Sequence, residues 1–338
     1  MSQIQRNISL LPFNTFGIDA KADYLFEYFS VDDLQKGLAS EIVKNNKILA
    51  VGCGSNLLFI NDFKGVILHS KINFINILDE DTENILLEVS SGVLWDDFVK
   101  FCVENNYYGA ENLSLISGQV GAAAVQNIGA YSVEIKDIIE KVNTVELKSG
   151  KTRIFTNAEC NYAYRNSIFK SSEKDKYIVT SVVFKLSKIE NYCFDYQHLK
   201  EDVEKHGKIS LTNLRQTIID IRRQKLPDTN IWGNAGSFFK NPYCSIEHFQ
   251  YLQKTFPKIP FYPVNEELVK LSAAWLIEQS GCKGKQIGNA AVYEKQPLVI
   301  VNQGNATAAE IVQLAEFIQN TVFEKFNVKL EPEVNYIF

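Results

Sequence analysis

The stretch Ser117-Gly118-Gln119-Val120-Gly121-Ala122-Ala123-Ala124-Val125-Gln126-Asn127-Ile128-Gly129-Ala130-Tyr131 is crowded with glycine and alanine and carries little side-chain bulk. From the residues alone it has two readings: a tightly packed helix start, or a wall that admits a flat, extended ligand. A second glycine turn lies upstream, Gly52-Cys53-Gly54-Ser55-Asn56-Leu57, directly after the apolar run of residues 47–51. An apolar run ending in glycines reads as a buried strand entering a turn. The glycines permit positive φ and close approach, and backbone N–H groups there can line an anion pocket. A plain tight turn is the other reading of that motif. The spacing is not a GxGxxG opening a helix, and no GK[ST] follows, so a Rossmann site and a Walker A loop are both disfavoured. Two small-residue loops suit a ligand with two phosphates better than one loop would.

Working outward, residues 65–68 and 84–90 read as strands, and 94–105 as a helix with apolar residues at 94, 95, 98, 99, 101 and 102. Residues 138–147, 153–155 and 177–186 read as strands, with a turn at Ser149-Gly150. The polar stretch 187–210 places a boundary near 205–210. Residues 211–223 read as a helix stopped by Leu226-Pro227-Asp228. Further helices are expected at about 245–255, 268–280 and 307–326, and a strand at 298–301. The last residues, 328–338, look extended and are expected to pair back onto an earlier sheet.

The bulk numbers narrow the class. A chain of 338 residues with 46% hydrophobic and 22% charged residues is expected to pack more than one core and not to be disordered. A net charge of −5 favours neither nucleic acid nor an anionic membrane as partner. The six cysteines form no CxxC pair, so they read as reduced thiols and not as a zinc or redox motif. No basic region followed by a long apolar run opens the chain and no run reaches membrane-spanning length, which makes the cytoplasm the expected compartment. The four histidines lie outside the glycine-rich motifs and read as surface or structural. A proton donor or acceptor is then expected among Ser, Tyr, Glu or Lys.

Three further motifs carry chemistry. Gly233-Asn234-Ala235-Gly236-Ser237-Phe238-Phe239-Lys240-Asn241-Pro242 sets a serine on a glycine turn with two phenylalanines behind it. It has no neighbouring histidine and no GxSxG frame, so a hydrolase nucleophile is disfavoured. A serine donating a proton to a carbanion is chemically reasonable, and a buried structural turn is the other reading. In Asn161-Tyr162-Ala163-Tyr164-Arg165-Asn166-Ser167 the guanidinium of Arg165 can hold a carboxylate bidentately, though taken alone the pair Tyr164-Arg165 also fits an ordinary surface. Glu333, in Leu330-Glu331-Pro332-Glu333-Val334, is by itself as consistent with an exposed edge charge as with a site.

With these motifs together, the two glycine loops resemble the phosphate-contacting loops of the FAD-binding fold shared by vanillyl-alcohol-oxidase-type flavoproteins. Within that group the sequence resembles the UDP-N-acetylenolpyruvoylglucosamine reductases. The likeness runs from Asn14-Thr15-Phe16 to Glu331-Pro332-Glu333-Val334, essentially the whole chain. One departure falls in the second loop, where the family commonly has Pro-Gly-Thr or Pro-Gly-Ser and this chain has Ser117-Gly118-Gln119.

The resemblance implies an α+β protein: a two-part FAD-binding fold over residues 1–70 and 71–208, a smaller α+β substrate-binding domain over 209–326, and a C-terminal strand, 327–338, returning to the FAD-binding region. It implies FAD held non-covalently by Gly52, Cys53, Gly54, Ser55, Asn56 and Leu57 and by Ser117, Gly118, Gly121, Ala122, Gln126, Asn127, Gly129 and Ala130. It implies NADPH as co-substrate, no metal, a monomer, and UDP-N-acetylglucosamine enolpyruvate as the substrate reduced to UDP-N-acetylmuramate in peptidoglycan precursor synthesis. Arg165, with Tyr164 beside it, would hold the substrate carboxylate. Glu333 would help stabilise the developing anion, and Ser237 would deliver the proton. Tyr196, Lys225, Asn241, Tyr262, Lys283 and Gln296 would line the nucleotide-sugar pocket, Tyr196 by closing over it. Other oxidases of this fold often attach FAD through His or Cys, and Cys53 is the residue in the first loop that such a rival would use. A non-catalytic nucleotide-sugar binder, the second rival, would have no need of Ser237.

Overall fold

The structure is a computed structural model that describes residues 4–196 and 198–338. It is an α+β protein of two compact units with interleaved segments. Among the described residues the first unit takes 4–8, 22–53, 63–196 and 198–222; the second takes 9–21, 54–62 and 223–338.

In the first unit a four-stranded sheet has the order Gln5–Ser9, Lys21–Tyr28, Phe63–Ser70, Ile48–Ala50. The last three strands pair in parallel, with Leu25 and Leu49 both in register with Ile67. Phe63–Ser70 is buried throughout except at Lys64, as a central parallel strand covered on both faces must be. The helix Val31–Leu38 starts at a Ser30 cap and buries Leu34 and Leu38 in the same core as Phe26, Val66 and Leu68. Gly37 allows this approach, since a Cβ there would lie 2.0 Å from the Phe26 ring.

The larger sheet of the first unit is antiparallel, in the order Thr152–Thr156, Ile139–Glu146, Tyr177–Ser187, Asn84–Ser90, Ile75–Glu80. The helix Trp95–Glu104 buries Trp95, Phe98, Val99 and Cys102 in the core with Val182 and Phe184 of that sheet. Phe98 stacks on Phe184 at 4.6 Å, and Trp95 meets both rings edge-on. The buried indole N–H of Trp95 finds its partner in the Leu113 carbonyl at 2.8 Å.

The second unit is built around the helix Ala308–Phe326, opened by a Thr307/Glu310 capping box and closed by Asn327 in the left-handed region. Its core includes Ile311, Leu314, Ile318 and Val322 with Leu276, Ile277 and Ile300. One three-stranded antiparallel sheet has the order Tyr243–Ser245, Leu268–Leu271, Phe261–Pro263; the other runs Gln286–Ile287, Ala290–Val292, Ile300–Asn302. The C-terminal strand Asn335–Ile337 pairs in parallel with Leu57–Phe59. Phe16 is fully buried here and meets Phe238 edge-on at 6.2 Å, while Asn302 donates to the Phe16 carbonyl at 2.9 Å. These bonds explain why residues 9–21 and 54–62 fold with the C-terminal half.

Most expected elements are present within a residue or two, among them Asn84–Ser90, Trp95–Glu104 and Ala308–Phe326. The helix expected over 268–280 is a correction. Leu268–Leu271 is a strand and only Ala273–Gln279 is helical. Val269 and Leu271 are buried while Lys270 is half-exposed, a period of two, and Ser272 caps the helix that follows. The strand expected at 298–301 starts later, at Ile300–Asn302. The polar stretch 187–210 contains a short helix, Leu199–Lys205.

Candidate active site

The first loop leaves the strand Ile48–Ala50 in a fixed direction. Val51 N–H donates to Leu68 O at 2.9 Å, and the buried His69 ring donates through Nδ1 to Val51 O at 2.8 Å. Burial lowers the His69 pKa below its ordinary 6.5, which keeps the imidazole neutral. The second loop is tied to residues 91–95 by Trp95 N to Gly118 O at 3.0 Å, Val120 N to Val93 O at 2.9 Å and Gly121 N to Ser91 O at 3.1 Å. A Cβ on Gly121 would lie 2.7 Å from Ser91 Cβ, so only glycine admits this packing.

The two loops lie side by side. A Cβ on Gly52 would sit 3.0 Å from Gln119 Oε1 and 3.6 Å from Ala122 Cβ. Gln119 is buried, and its amide donates to Gly92 O at 3.0 Å and Ser70 O at 3.3 Å. This chain turns the long Gln119 amide inward and uses it to tie the second loop to the backbone at residues 70 and 92. Gly52, Gly118 and Ala122 then leave a surface with no side chain longer than a methyl, beside the exposed Ser117. Such a surface fits the pyrophosphate and flat rings of a dinucleotide. Cys53 is half-buried and burial raises its thiol pKa, so it stays protonated and weakly nucleophilic.

Helix Val120–Gln126 ends at Asn127 in the left-handed region. Asn127 is wholly buried; its amide donates to Ala163 O at 2.8 Å and Glu134 Oε2 at 3.2 Å. These bonds, with Ser167 Oγ donating to Val125 O at 2.7 Å, hold the turn that carries Tyr164 and Arg165. Arg165 is itself left-handed, φ 55°, an uncommon state for a non-glycine residue. Its Nη2 donates to Gly129 O at 2.6 Å and its guanidinium lies 5.0 Å from the Tyr164 ring centre. Lys170 bonds the Gln126 side chain and donates to Arg165 O at 3.1 Å. Ala130 follows in the short strand Gly129–Ala130. Gln126, Asn127 and Gly129 thus brace Arg165 as well as ending the second loop. Tyr196 packs with Tyr131 in a small cluster around Leu199, Val203, Leu214 and Ile218.

In the second unit Gly54 has φ 64° and passes so close to Phe13 O that a Cβ would lie 1.8 Å from it. Asn56 donates to Glu333 O at 3.2 Å, just before Leu57 opens its strand, with Ser55 half-buried beside it. Gly233 crosses Phe16 O at a distance of 2.1 Å from where its Cβ would be, and Asn234 caps Gly236 N at 3.0 Å. Gly236, φ 68°, turns the chain at Ser237. The segment then runs between two others: Phe238 N donates to Leu298 O at 2.7 Å, and Glu333 N donates to Phe238 O at 2.8 Å. Phe238 and Phe239 are buried, so Ser237, half-exposed, is held by its neighbours. Ser237 and Glu333 therefore stand on adjoining extended segments. Gln296 lies at the turn before this pairing, accepting from Val299 N at 2.9 Å.

The remaining predicted residues of this unit fall in two places. Asn241 Oδ1 accepts from Ala273 N at 2.9 Å, and Tyr262 is in register with Lys270. Lys283 is paired with Glu278 at 2.9 Å and Lys225 is exposed at the end of its helix. Sequence reading missed Lys270, whose Nζ lies 5.8 Å from the Tyr262 ring centre and which is also in register with Tyr243. Opposed residues share a face, so Tyr243, Lys270 and Tyr262 present one cation between two phenols. The single charge between the apolar Val269 and Leu271 was the signal that could have found it. The inward turn of Gln119 and the bracing roles of Asn127 and Lys170 had no local signal.

Residues 227–337 match the family model for the UDP-N-acetylenolpyruvoylglucosamine reductase C-terminal domain, and residues 22–156 match an FAD binding domain. A UDP-N-acetylenolpyruvoylglucosamine reductase of Bacteroides fragilis is 47% identical over 334 residues, covering 99% of this chain and 100% of the relative. That of Porphyromonas gingivalis is 45% identical over 335 residues, covering 99% of each. The chain belongs to this reductase family. It is an FAD-dependent oxidoreductase that uses NADPH and acts in peptidoglycan precursor synthesis. The fold agrees: the reductase of Thermus caldophilus superposes with a TM-score of 0.70 over 99% of both chains at 21% identity. Among the described residues of this reductase no helix is long and apolar enough to cross a membrane.

Proposed function

We propose that the reduction of UDP-N-acetylglucosamine enolpyruvate to UDP-N-acetylmuramate is run in this chain by Arg165, Ser237 and Glu333, with Tyr164 in support. FAD, when bound, would supply the two-electron chemistry that takes hydride from NADPH to one alkene carbon. Charge then grows on the carbon next to the substrate carboxylate. Arg165, fixed through Gly129 O, binds that carboxylate and stabilises the charge. Ser237 gives its hydroxyl proton to the carbanion, and Glu333 shares in holding the anion. The hydrogen bond from Glu333 N to Phe238 O, at 2.8 Å, carries this reading, because it places carboxylate and hydroxyl residues on neighbouring segments.

The dinucleotide is held non-covalently along Gly52, Cys53, Gly54, Ser55, Asn56 and Leu57 and along Ser117, Gly118, Gly121 and Ala122, with Gln126, Asn127, Gly129 and Ala130 ending the second loop. The protonated thiol of Cys53 supports the absence of a covalent flavin link. Tyr196, Lys225, Asn241, Tyr262, Lys283 and Gln296 bind the nucleotide sugar, and Lys270 adds a cation suited to a diphosphate. In this reading the protein works as a cytoplasmic monomer, without nucleic acid or membrane as partner. Its functional parts are FAD-binding segments over 1–70 and 71–208, a substrate domain over 209–326 and a C-terminal strand over 327–338.

Anaerobic titration tests the proposal. NADPH should bleach the flavin spectrum, addition of the enolpyruvyl sugar nucleotide should restore it, and denaturation should release free FAD. A spectrum that stays bleached, or flavin that remains on the denatured chain, would contradict the proposal. Arg165→Ala should lose turnover with the enolpyruvyl substrate while keeping its FAD.

A further inference from the structure

We infer that Tyr131 is a positioning residue that seats Tyr196, so that the tripeptide Gly129-Ala130-Tyr131 sets two substrate-facing side chains at once. The inference rests on the roles proposed above for Arg165 and Tyr196. Gly129 and Ala130 pair with Glu134 and Val133, which makes Tyr131-Ser132 a two-residue hairpin turn. Both turn residues are left-handed, with φ 49° and 67°. Turns of this kind favour Asn-Gly, and a bulky tyrosine there is strained. The strain has a counterpart in what the ring does. Tyr131 meets Tyr196 edge-on, with ring centres 4.9 Å apart at 76°.

One side chain ties the Tyr131 backbone to the segment that leads to Tyr196. The Nδ2 of Asn112, a buried residue, donates to Tyr131 O at 2.9 Å and to Cys193 O at 3.0 Å. Both carbonyls only accept, so the amide nitrogen must face them, and Asn112 Oδ1 is left buried without a partner. On the far side, the Arg222 guanidinium is near enough to the Tyr131 phenol to oppose the rise in its pKa that burial causes. Tyr131 is thus held at its carbonyl with the ring against Tyr196. Two residues earlier, Gly129 O holds Arg165 at 2.6 Å.

The test uses the flavin-loaded enzyme with Tyr131→Asn, a change that suits the turn and removes the ring. Its melting temperature should hold or rise, because turn strain is relieved. Its KM for UDP-N-acetylglucosamine enolpyruvate should rise about three- to tenfold, the worth of an aromatic pair, with kcat within about twofold. Tyr131→Phe should recover most of that affinity. Tyr196→Ala should raise KM at least as much, and the double variant should be no worse than Tyr196→Ala alone. An unchanged KM in Tyr131→Asn beside a raised KM in Tyr196→Ala overturns the seating role, as do additive effects in the double variant. A wild-type KM in Tyr196→Ala overturns the reading of Tyr196 itself, and the inference with it.

Discussion

Arg165 owes its place to a glycine. A Cβ on Gly129 would lie 2.9 Å from Glu134 Cγ, 3.0 Å from Arg165 Nη1 and 3.0 Å from Val133 O. Gly129→Ala must therefore displace the guanidinium or the hairpin. Misplacement of about 1 Å at a reacting centre costs roughly 10²-fold in rate, so steady-state kcat with the enolpyruvyl substrate, expressed per bound flavin, should fall by about that factor. Gln119 offers a second prediction. Gln119→Ala strips the amide donor from Gly92 O and Ser70 O. Leaving such groups unpaired should destabilise the fold by about 1–3 kcal/mol in urea denaturation and weaken FAD retention in equilibrium dialysis. Ser237 and Glu333 were legible as candidates because their neighbours form a motif in the chain. Gln119 was not, because its partners stand near positions 70 and 92, and only the folded sheet brings them to it.

At the scale of elements, two helices are joined by one charge pair within the first unit. Arg215, in Leu211–Lys225, forks onto Asp96, in Trp95–Glu104, at 2.7 and 2.8 Å. The same carboxylate accepts from Leu115 N at 2.5 Å. Burial alone would raise the Asp96 pKa, but the Arg215 fork and the Leu115 amide outweigh it and hold the group below its ordinary 3.8. A depressed folded value means that the unfolded chain binds more protons in this window, so stability rises with pH there. The contribution is present above 3.8 and is lost as pH falls through the folded value. Asp96→Asn should cost about 1.5–3 kcal/mol at neutral pH and show a flatter loss of stability on acidification in urea titrations. Element types were readable where periodicity was strong, as in residues 94–105. Over 268–280 a four-residue strand and a seven-residue helix abut at Ser272, and a window long enough to see helical spacing blurs the two.

At the scale of the whole molecule, the chain interleaves its two units. Tyr164 and Arg165 belong to the first, Ser237 and Glu333 to the second. The interleaving arises because residues 54–62 pair with the C-terminal strand and residues 9–21 pack on Phe238 and Asn302. Sequence patterns, read locally, give no warning of such long-range pairing, although the extended C-terminus announced that it needed a partner. The central claim is that Ser237 supplies the proton once hydride has been delivered. Stopped-flow measurement on Ser237→Ala, reduced anaerobically with NADPH and then mixed with UDP-N-acetylglucosamine enolpyruvate, tests it most directly. Reduction by NADPH should proceed at the wild-type rate, and flavin reoxidation should slow by about 10²–10³-fold. Reoxidation as fast as in the unaltered enzyme would contradict the claim.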